Sequence, residues 1–473
     1  MKSALLKAKA RKQKFNKRKE EVREEDDSDA SMSDDDEELY SENMVGKLVN
    51  GKYLIVKYLG KGSFSKVWLV LDMIIQKYYA LKIQESKYNE DMDEELKILN
   101  HLQKGITVES ADFSKYNFGL LIDNFDTKIN ETICRCMVLE LLGSSIAYLS
   151  FEENIKCLTI PVIKKVIYDM AKGLQQIHNS GIIHTDLKPD NVLFRECNHD
   201  IRDYIDKVTQ LGIGNTVEEL MCNNTPKEIM MLPKNKRKIV KRKIRLKTVK
   251  EAVKLIHTEI INLNKEEVSD NNLELKIEEL NLELDELEDN NSDFDRKDIL
   301  ELDLDNLCIK IIDFGNAEFK NRLEQEEIYT RSYRPPENII NNTYSSKSDI
   351  WFVGCFLYEL LTGEILFDIN CIDNNPFIKD REHLSVMYSY LGKMSRDMTM
   401  NCEFSEDLFD SKGRIIKNRD IEEIDLRLEL TSRIDIEEEE LDLIEDLIFK
   451  ILEYDPNNRL SAEGILHHKW FRT

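Results

Sequence analysis

The segment His184-Thr185-Asp186-Leu187-Lys188-Pro189-Asp190-Asn191 puts three reactive side chains in one short stretch of chain. Asp186 can accept or orient the proton of a substrate hydroxyl. Lys188 can steady a transferring phosphoryl group, and Asn191, five residues after Asp186, can hold a magnesium ion. His184 is expected to pack as support. Phosphoryl transfer needs positioned charge more than covalent help, so a single loop carrying all three groups suits that chemistry.

Three further strings surround this one in order. Gly60-Lys61-Gly62-Ser63-Phe64-Ser65-Lys66-Val67 joins two expected strands, whereas a dinucleotide-binding turn joins a strand to a helix. Gly60 and Gly62 let the backbone approach phosphates, Phe64 can cap the loop, and Ser65 stands where a third glycine is usual. By itself the string reads equally well as a plain hairpin. Ala80-Leu81-Lys82 follows on the next strand, where Lys82 can reach α- and β-phosphates and needs a carboxylate to hold it. Glu95, on the following helix and on a face with Leu99, is the choice, with Glu94 its competitor. Asp313-Phe314-Gly315, after the apolar run from Cys308 to Ile312, supplies a second magnesium ligand in Asp313.

These residues require particular elements. Tyr53 to Leu59, Val67 to Leu71 and Tyr78 to Ile83 are β-rich runs broken by Gly and Asp, a meander of strands. Asp91 to Leu102 has helical spacing, with Leu96, Leu99 and Leu102 on one face, and Ile160 to His178 is helical again. The pattern is lost from about Glu196 to Asn306 and returns as a mainly helical segment to Trp470. The interruption has a densely basic part, Lys234 to Lys250, and a part from Leu273 to Leu304 that alternates leucine with Glu and Asp, where a short coiled coil is one option. It reads as a mostly disordered insert with one or two helices. Glu337 in the Thr330 to Glu337 string can pair with Arg459 as a structural clamp, and Asp349 is expected to hydrogen-bond the backbone of the 184–191 loop.

Composition limits the alternatives. The net charge of −24 argues against general binding to nucleic acid or anionic membrane and is compatible with basic peptide partners. The first nineteen residues are basic without an apolar signal core, and the apolar stretch near Ile350 to Leu361 is too short to span a bilayer. Nine cysteines without paired spacing imply no disulfide framework, so the expected compartment is cytoplasmic or nuclear. Cys134 and Cys136, two apart on a strand, read as packed thiols rather than a metal pair. Residues 1–46 form a tail whose basic start (Lys2 to Lys19) and acidic continuation (Glu24 to Glu42) cannot bury a core.

With these strings in order, the chain resembles the eukaryotic protein kinases, and within them the SR-protein kinases of the CMGC group, which phosphorylate serines in arginine/serine-rich tails of splicing factors. His184-Thr185-Asp186 has threonine where most kinases have arginine. Asp313-Phe314-Gly315 continues with Asn316-Ala317, and Glu327-Ile328-Tyr329-Thr330-Arg331-Ser332-Tyr333-Arg334 is similar to that family's activation segment. A charged insert splits the chain where the family has its spacer.

The resemblance implies an α+β two-lobed fold: a disordered tail (1–46), a small β-rich N-lobe (47–143), a helical C-lobe in two parts (144–196 and 307–473), and the spacer (197–306). It implies ATP and Mg2+ as cofactors, with nucleotide contacts from Leu59, Gly60, Lys61, Gly62, Ser63, Phe64, Ser65, Val67, Ala80, Lys82, Glu95, Glu140 and Leu142. Asp186 and Lys188 are then catalytic, and Asn191 and Asp313 hold metal. It further implies a monomer acting on basic protein substrates, and activity without loop phosphorylation, because Thr185 cannot grip a phosphate. Phe314 stands where the family usually has leucine. In the docking groove Asp380 and Glu382 keep acidity, while Ser389 and Ile424 stand where a second acid and a tryptophan are expected. Arg381-Glu382-His383-Leu384 is similar to the Clk (LAMMER) dual-specificity kinases, a second reading; a catalytically dead scaffold is a third. The Asn-, Ile- and Lys-rich, Pro-poor composition is that of an AT-rich genome, as in a parasite or large virus.

Overall fold

In the computed structural model the described residues are 44–61, 65–84, 89–107, 112–129, 132–147, 158–226, 229, 233–282, 307–322, 328–369, 375–417, 421–434 and 436–472. The glycine-loop tip Gly62, Ser63 and Phe64, the tail up to residue 43, and most of the leucine-rich stretch after Leu282 lie outside them.

The N-lobe is a six-stranded antiparallel sheet in the order β1-β2-β3-β4-β6-β5. Its strands are β1 (Leu48–Val49), β2 (Tyr53–Lys61), β3 (Ser65–Asp72), β4 (Lys77–Gln84), β5 (Leu121–Ile129) and β6 (Thr132–Leu139). The three runs expected from alternation are β2, β3 and β4. Order begins earlier than the tail boundary at residue 46, because Met44 is buried beneath the sheet. One face packs Tyr53, Ile55, Trp68, Val70, Leu81 and the enclosed thiols Cys134 and Cys136. Burial pushes the Cys136 thiol far above its ordinary range, as for an inert packing group. Helix α1 (Asn89–Leu102) lays Met92, Leu96, Leu99 and Leu102 against the core shared with the helical lobe.

The C-lobe is built on helix α2 (Ile160–Asn179), started by proline in its first turn, whose apolar face from Val162 to Ile177 is buried. The short strands β7 (Ile182–Ile183) and β8 (Val192–Phe194) bracket the loop that carries Asp186. After the insert, β9 (Ile309–Ile311) pairs with β8, and β10 (Glu318–Phe319) pairs with β7. Thus residues more than a hundred positions apart become neighbours across two small ladders. Helix α6 (Ser346–Thr362) is capped by the reciprocal Ser345–Ser348 box and is buried along nearly its whole length.

The expected disorder of residues 197–306 is corrected for its first two thirds. Helices α3 (His199–Gln210), α4 (Ile213–Asn224) and α5 (Lys234–Leu282) occupy it. Among the described residues their core contacts are with the N-lobe, not with the C-lobe from which the insert departs. Tyr204, Val208, Ile213, Val217, Val249, Ala252, Val253, Ile256 and Ile260 pack on Leu54, Val56, Leu69, Leu71 and Met73 of the N-lobe sheet. These apolar residues are sparse among charges, so no window of the insert looks capable of a core; the sheet supplies the other half. The side chains beyond Lys265, including the leucine alternation from Leu273, lie outside the description.

Candidate active site

The register of the sheet sets the nucleotide side. Gly60 pairs with Val67, Val67 with Lys82, and Lys82 with Met137, while Ala80 pairs with Leu69 and Leu139. Directly paired residues share a face, so Val67, Ala80 and Lys82 point the same way. Leu59 and Gly60 are half-buried at the end of β2, Lys61 is exposed, and Ser65 is buried opposite Gln84.

Lys82 Nζ lies 2.8 Å from Glu95 Oε2 and 3.4 Å from Asp313 Oδ1. The competitor, Glu94, is on the exposed side of α1 and pairs with Lys97 at 2.5 Å. Burial draws the Lys82 ammonium downward, but the two carboxylates outweigh it and hold it above the ordinary lysine value. Burial also pushes Glu95 up, with Lys82 and the Phe314 backbone N–H in opposition. Asp313 would be raised by burial too, yet Lys82, His184 and Lys188 together hold it below the usual carboxylate range. The result is an ammonium fixed between two carboxyl groups at the mouth between lobes.

The loop 184–191 is over-determined. Asp349, fully buried, accepts from the backbone N–H of His184 at 2.9 Å and of Thr185 at 3.1 Å, from the Tyr329 hydroxyl at 2.7 Å, and lies 2.8 Å from His178 Nε2. Burial raises its carboxyl, but these donors outweigh it and leave it below the usual range. Thr185 adopts φ 67 and Tyr329 φ 65, left-handed conformations that side-chain-bearing residues take only when surroundings impose them. The Tyr329 N–H donates to the Thr185 carbonyl at 2.9 Å, and the Thr185 hydroxyl to the Asn316 carbonyl at 2.6 Å. His184 Nε2 lies 2.9 Å from the Ile312 carbonyl oxygen, which makes Nε2 the protonated nitrogen, and its ring packs on Phe314 at 5.2 Å.

Asp186 is therefore carried on a rigid platform. Lys188 Nζ is 3.8 Å from its Oδ2. Asn191 Nδ2 donates to the Asp186 carbonyl at 2.8 Å, which leaves the Asn191 side-chain oxygen as an acceptor. That oxygen and the Asp313 carboxylate are hard donors of the kind magnesium takes. The clamp between Glu337 and Arg459 is a double contact, 2.8 Å on each carboxylate oxygen, remote from these groups.

Two of the expected nucleotide residues lie on the segment after β6. Leu142 is half-buried there, its carbonyl facing the Cys197 thiol at 3.8 Å. The Glu140 carboxylate is buried against Lys310, both oxygens at 2.7 Å from Nζ, so only its backbone can meet a nucleotide. Burial pushes this pair toward neutrality from both sides, raising Glu140 and lowering Lys310. Lys310 escaped notice in the sequence because it sits inside an apolar strand pattern. So did the contact from Asn316 Nδ2 to Asp186 Oδ2 at 3.2 Å, where the only signal was the Asn-Ala that follows Gly315.

The protein kinase domain family profile matches residues 53–231 and 292–471. The chain belongs to the protein kinase family. The protein kinase dsk1 of Schizosaccharomyces pombe is 27% identical over 453 residues, covering 89% of this chain and 80% of that protein. The serine/threonine-protein kinase SRPK of Physarum polycephalum is 28% identical, covering 91% and 88%. A serine/threonine-protein kinase of Acanthamoeba polyphaga mimivirus is 26% identical, covering 91% and 90%. A crystal structure of a kinase domain superposes with TM-score 0.57 at 21% identity over 92% of this chain and 99% of that one, which shows the shared fold. The chain is thus a protein kinase, similar over most of its length to serine/threonine kinases of the SRPK type.

Proposed function

We propose that this kinase transfers the γ-phosphate of ATP to serine or threonine hydroxyls in arginine-rich protein segments, with Asp186 as the group that takes the hydroxyl proton. The hydroxyl oxygen forms the new bond to phosphorus as the bond to the ADP oxygen breaks, and Lys188 offsets charge on the transferring group. Lys82, fixed by Glu95, positions the α- and β-phosphates beneath Gly60 and Val67. Asn191 and Asp313 would hold magnesium, which neutralises phosphate charge when bound. The observation that carries this reading is the convergence of Lys82, Glu95 and Asp313 within 3.4 Å, from segments 231 residues apart. Asp186→Asn tests it: phosphate transfer should fall by at least about a hundredfold with folding retained, and a mutant working at the wild-type rate overturns it.

The substrate class rests on charge. Asp380 is occupied by Arg331 at 2.6 Å, so its acidity is spent within the protein. The Ile424 N–H donates to the Ser389 carbonyl at 2.8 Å, which puts the two departures from the expected groove side by side. Around them Glu422, Glu423 and Asp425 are exposed. We read this as a groove whose acidity has moved along the chain, still suited to arginine side chains. A peptide array with arginine/serine-repeat, proline-directed and acidic peptides checks it; preference for acidic peptides refutes it. Cytoplasm or nucleus is the proposed compartment. Among the described residues no helix is long and apolar enough to cross a membrane.

A further inference from the structure

The long helix α5 changes character along its length. From Lys234 to Lys250 it carries ten Lys and Arg and no Asp or Glu. Beyond Thr248 one face is apolar and buried under the N-lobe through Val249, Ala252, Val253, Ile256 and Ile260. Followed backward at helical spacing, that same face runs through Arg245, Arg242, Lys241 and Lys238, all exposed. Among the described residues the ion pair on this stretch is Lys247 with Glu251, at 3.7 Å, which leaves Lys238, Lys241 and Arg242 without a carboxylate. Arg242 and Arg245 line a cleft of about 260 Å³ against the turn Asn50–Lys52, Ile74 and Asp123.

The described chain begins beside this helix. A side chain on Gly46 would meet the His257 ring, and one on Gly51 would meet Leu246, so residues 46–51 run along α5 toward its basic end. Directly upstream, Glu24 to Glu42 holds eleven Asp and Glu and no Lys or Arg. From His257 back to Arg242 is about 22 Å at the helical rise. The run Asp34 to Glu38 lies eight to twelve residues before Gly46, a reach of roughly 26–40 Å when extended. The acidic segment therefore spans to the stripe with length to spare.

We propose that the acidic segment 24–42 of this chain docks in cis on the basic stripe Lys238–Arg245 of α5, tying the N-terminus to the helix that supports the N-lobe sheet. Two features select this occupant over a free anion. The segment is covalently present, at an effective concentration on the order of millimolar. The rest of the protein is strongly acidic, so it repels other polyanions beyond the local stripe, where screening sets in at about 8 Å.

Zero-length carbodiimide cross-linking of the purified full-length chain, read by peptide mass spectrometry, tests this. Expected are amide links from residues 34–38 to Lys238, Lys241 or Lys243 whose yield is unchanged on dilution and falls about fivefold or more in roughly 0.5 M NaCl. Reversing Asp34→Lys, Asp35→Lys and Asp36→Lys should abolish them. Adding Lys238→Glu, Lys241→Glu and Arg242→Glu should restore a link between the same segments with donor and acceptor exchanged. Absence of these links in the wild type, or failure of the second reversal to restore them, overturns the proposal. Links that vanish on dilution indicate a second copy and also overturn it. So does uptake of a single-stranded DNA 20-mer with equal affinity whether or not residues 34–36 are reversed, which would make the stripe a nucleic-acid site.

Discussion

Tyr204 reports whether the insert holds the strand that leads into the glycine-rich loop. The pairing of β2 with β3 shifts register between Ile55 and Lys57, and the Val56 carbonyl at that shift is taken up by the insert. The Tyr204 hydroxyl donates to it at 2.6 Å and Asn264 Nδ2 at 2.7 Å, while the Lys57 ammonium sits 4.7 Å from the Tyr204 ring centre. Val56 is four residues before Gly60. Truncating a buried aromatic to alanine costs about 3–5 kcal/mol where the site cannot collapse. The hydroxyl's own share is about 1 kcal/mol, roughly a fivefold change in a local equilibrium. Tyr204→Ala should therefore raise local opening of β2 on the order of a hundredfold or more, and Tyr204→Phe by about fivefold. Hydrogen exchange of the 53–61 peptide measures this, with the 132–139 peptide as internal reference and the KM for ATP as the functional readout. The KM should rise with β2 opening. Wild-type exchange of β2 in Tyr204→Ala, or equal acceleration of β2 and β6, would refute the local clamp.

Other outcomes follow from the same geometry. Arg459→Leu leaves the Glu337 carboxylate buried against Ser348 alone and should cost about 3–5 kcal/mol in urea unfolding, whereas the double variant Arg459→Leu with Glu337→Gln, which removes both charges, should cost less. Because Asp349 is held below the usual carboxylate range, its contribution is complete above about pH 4 and lost as pH falls through its lowered value. Acid unfolding followed by circular dichroism should show Asp349→Asn less stable than wild type at pH 7 and the gap narrowing below about pH 4. Protein made in bacteria and treated with phosphatase should retain its kinase activity, since Thr185, Tyr329 and Asn316 fix the activation segment by hydrogen bonds; loss of activity would sink that idea. Lys82→Met should lower the rate at least about a hundredfold with the fold retained by circular dichroism, and should lower the thermal midpoint because Glu95 loses its buried partner.

Part of this protein is settled locally. Strand alternation placed β2 to β4, helical spacing placed α1 and α2, and the side-chain types of Asp186, Lys188, Asn191 and Asp313 pointed to the chemistry proposed for them, because those signals need only neighbours in sequence. Glu95 was preferred to Glu94 on the same basis, since a helix face can be counted. The insert could not be read that way. Tyr204, Val208 and Val253 are too few to make a core alone, and their partners, Leu54 to Leu71, precede them by well over a hundred residues. The burial of Lys310 on Glu140 was equally illegible, because a lysine in a strand is compatible with solvent until the opposite charge arrives from another lobe. The left-handed Thr185 and Tyr329 backbones are held by contacts far apart in sequence: Asp349, over a hundred and sixty residues from Thr185, accepts from the Thr185 N–H and the Tyr329 hydroxyl, and the Tyr329 N–H donates to the Thr185 carbonyl. Residue types and spacing thus determined the reaction and the family. Tertiary structure alone decided where the insert rests, which carboxylates remain free, and how the catalytic loop is held, since each depends on contacts that no local pattern records.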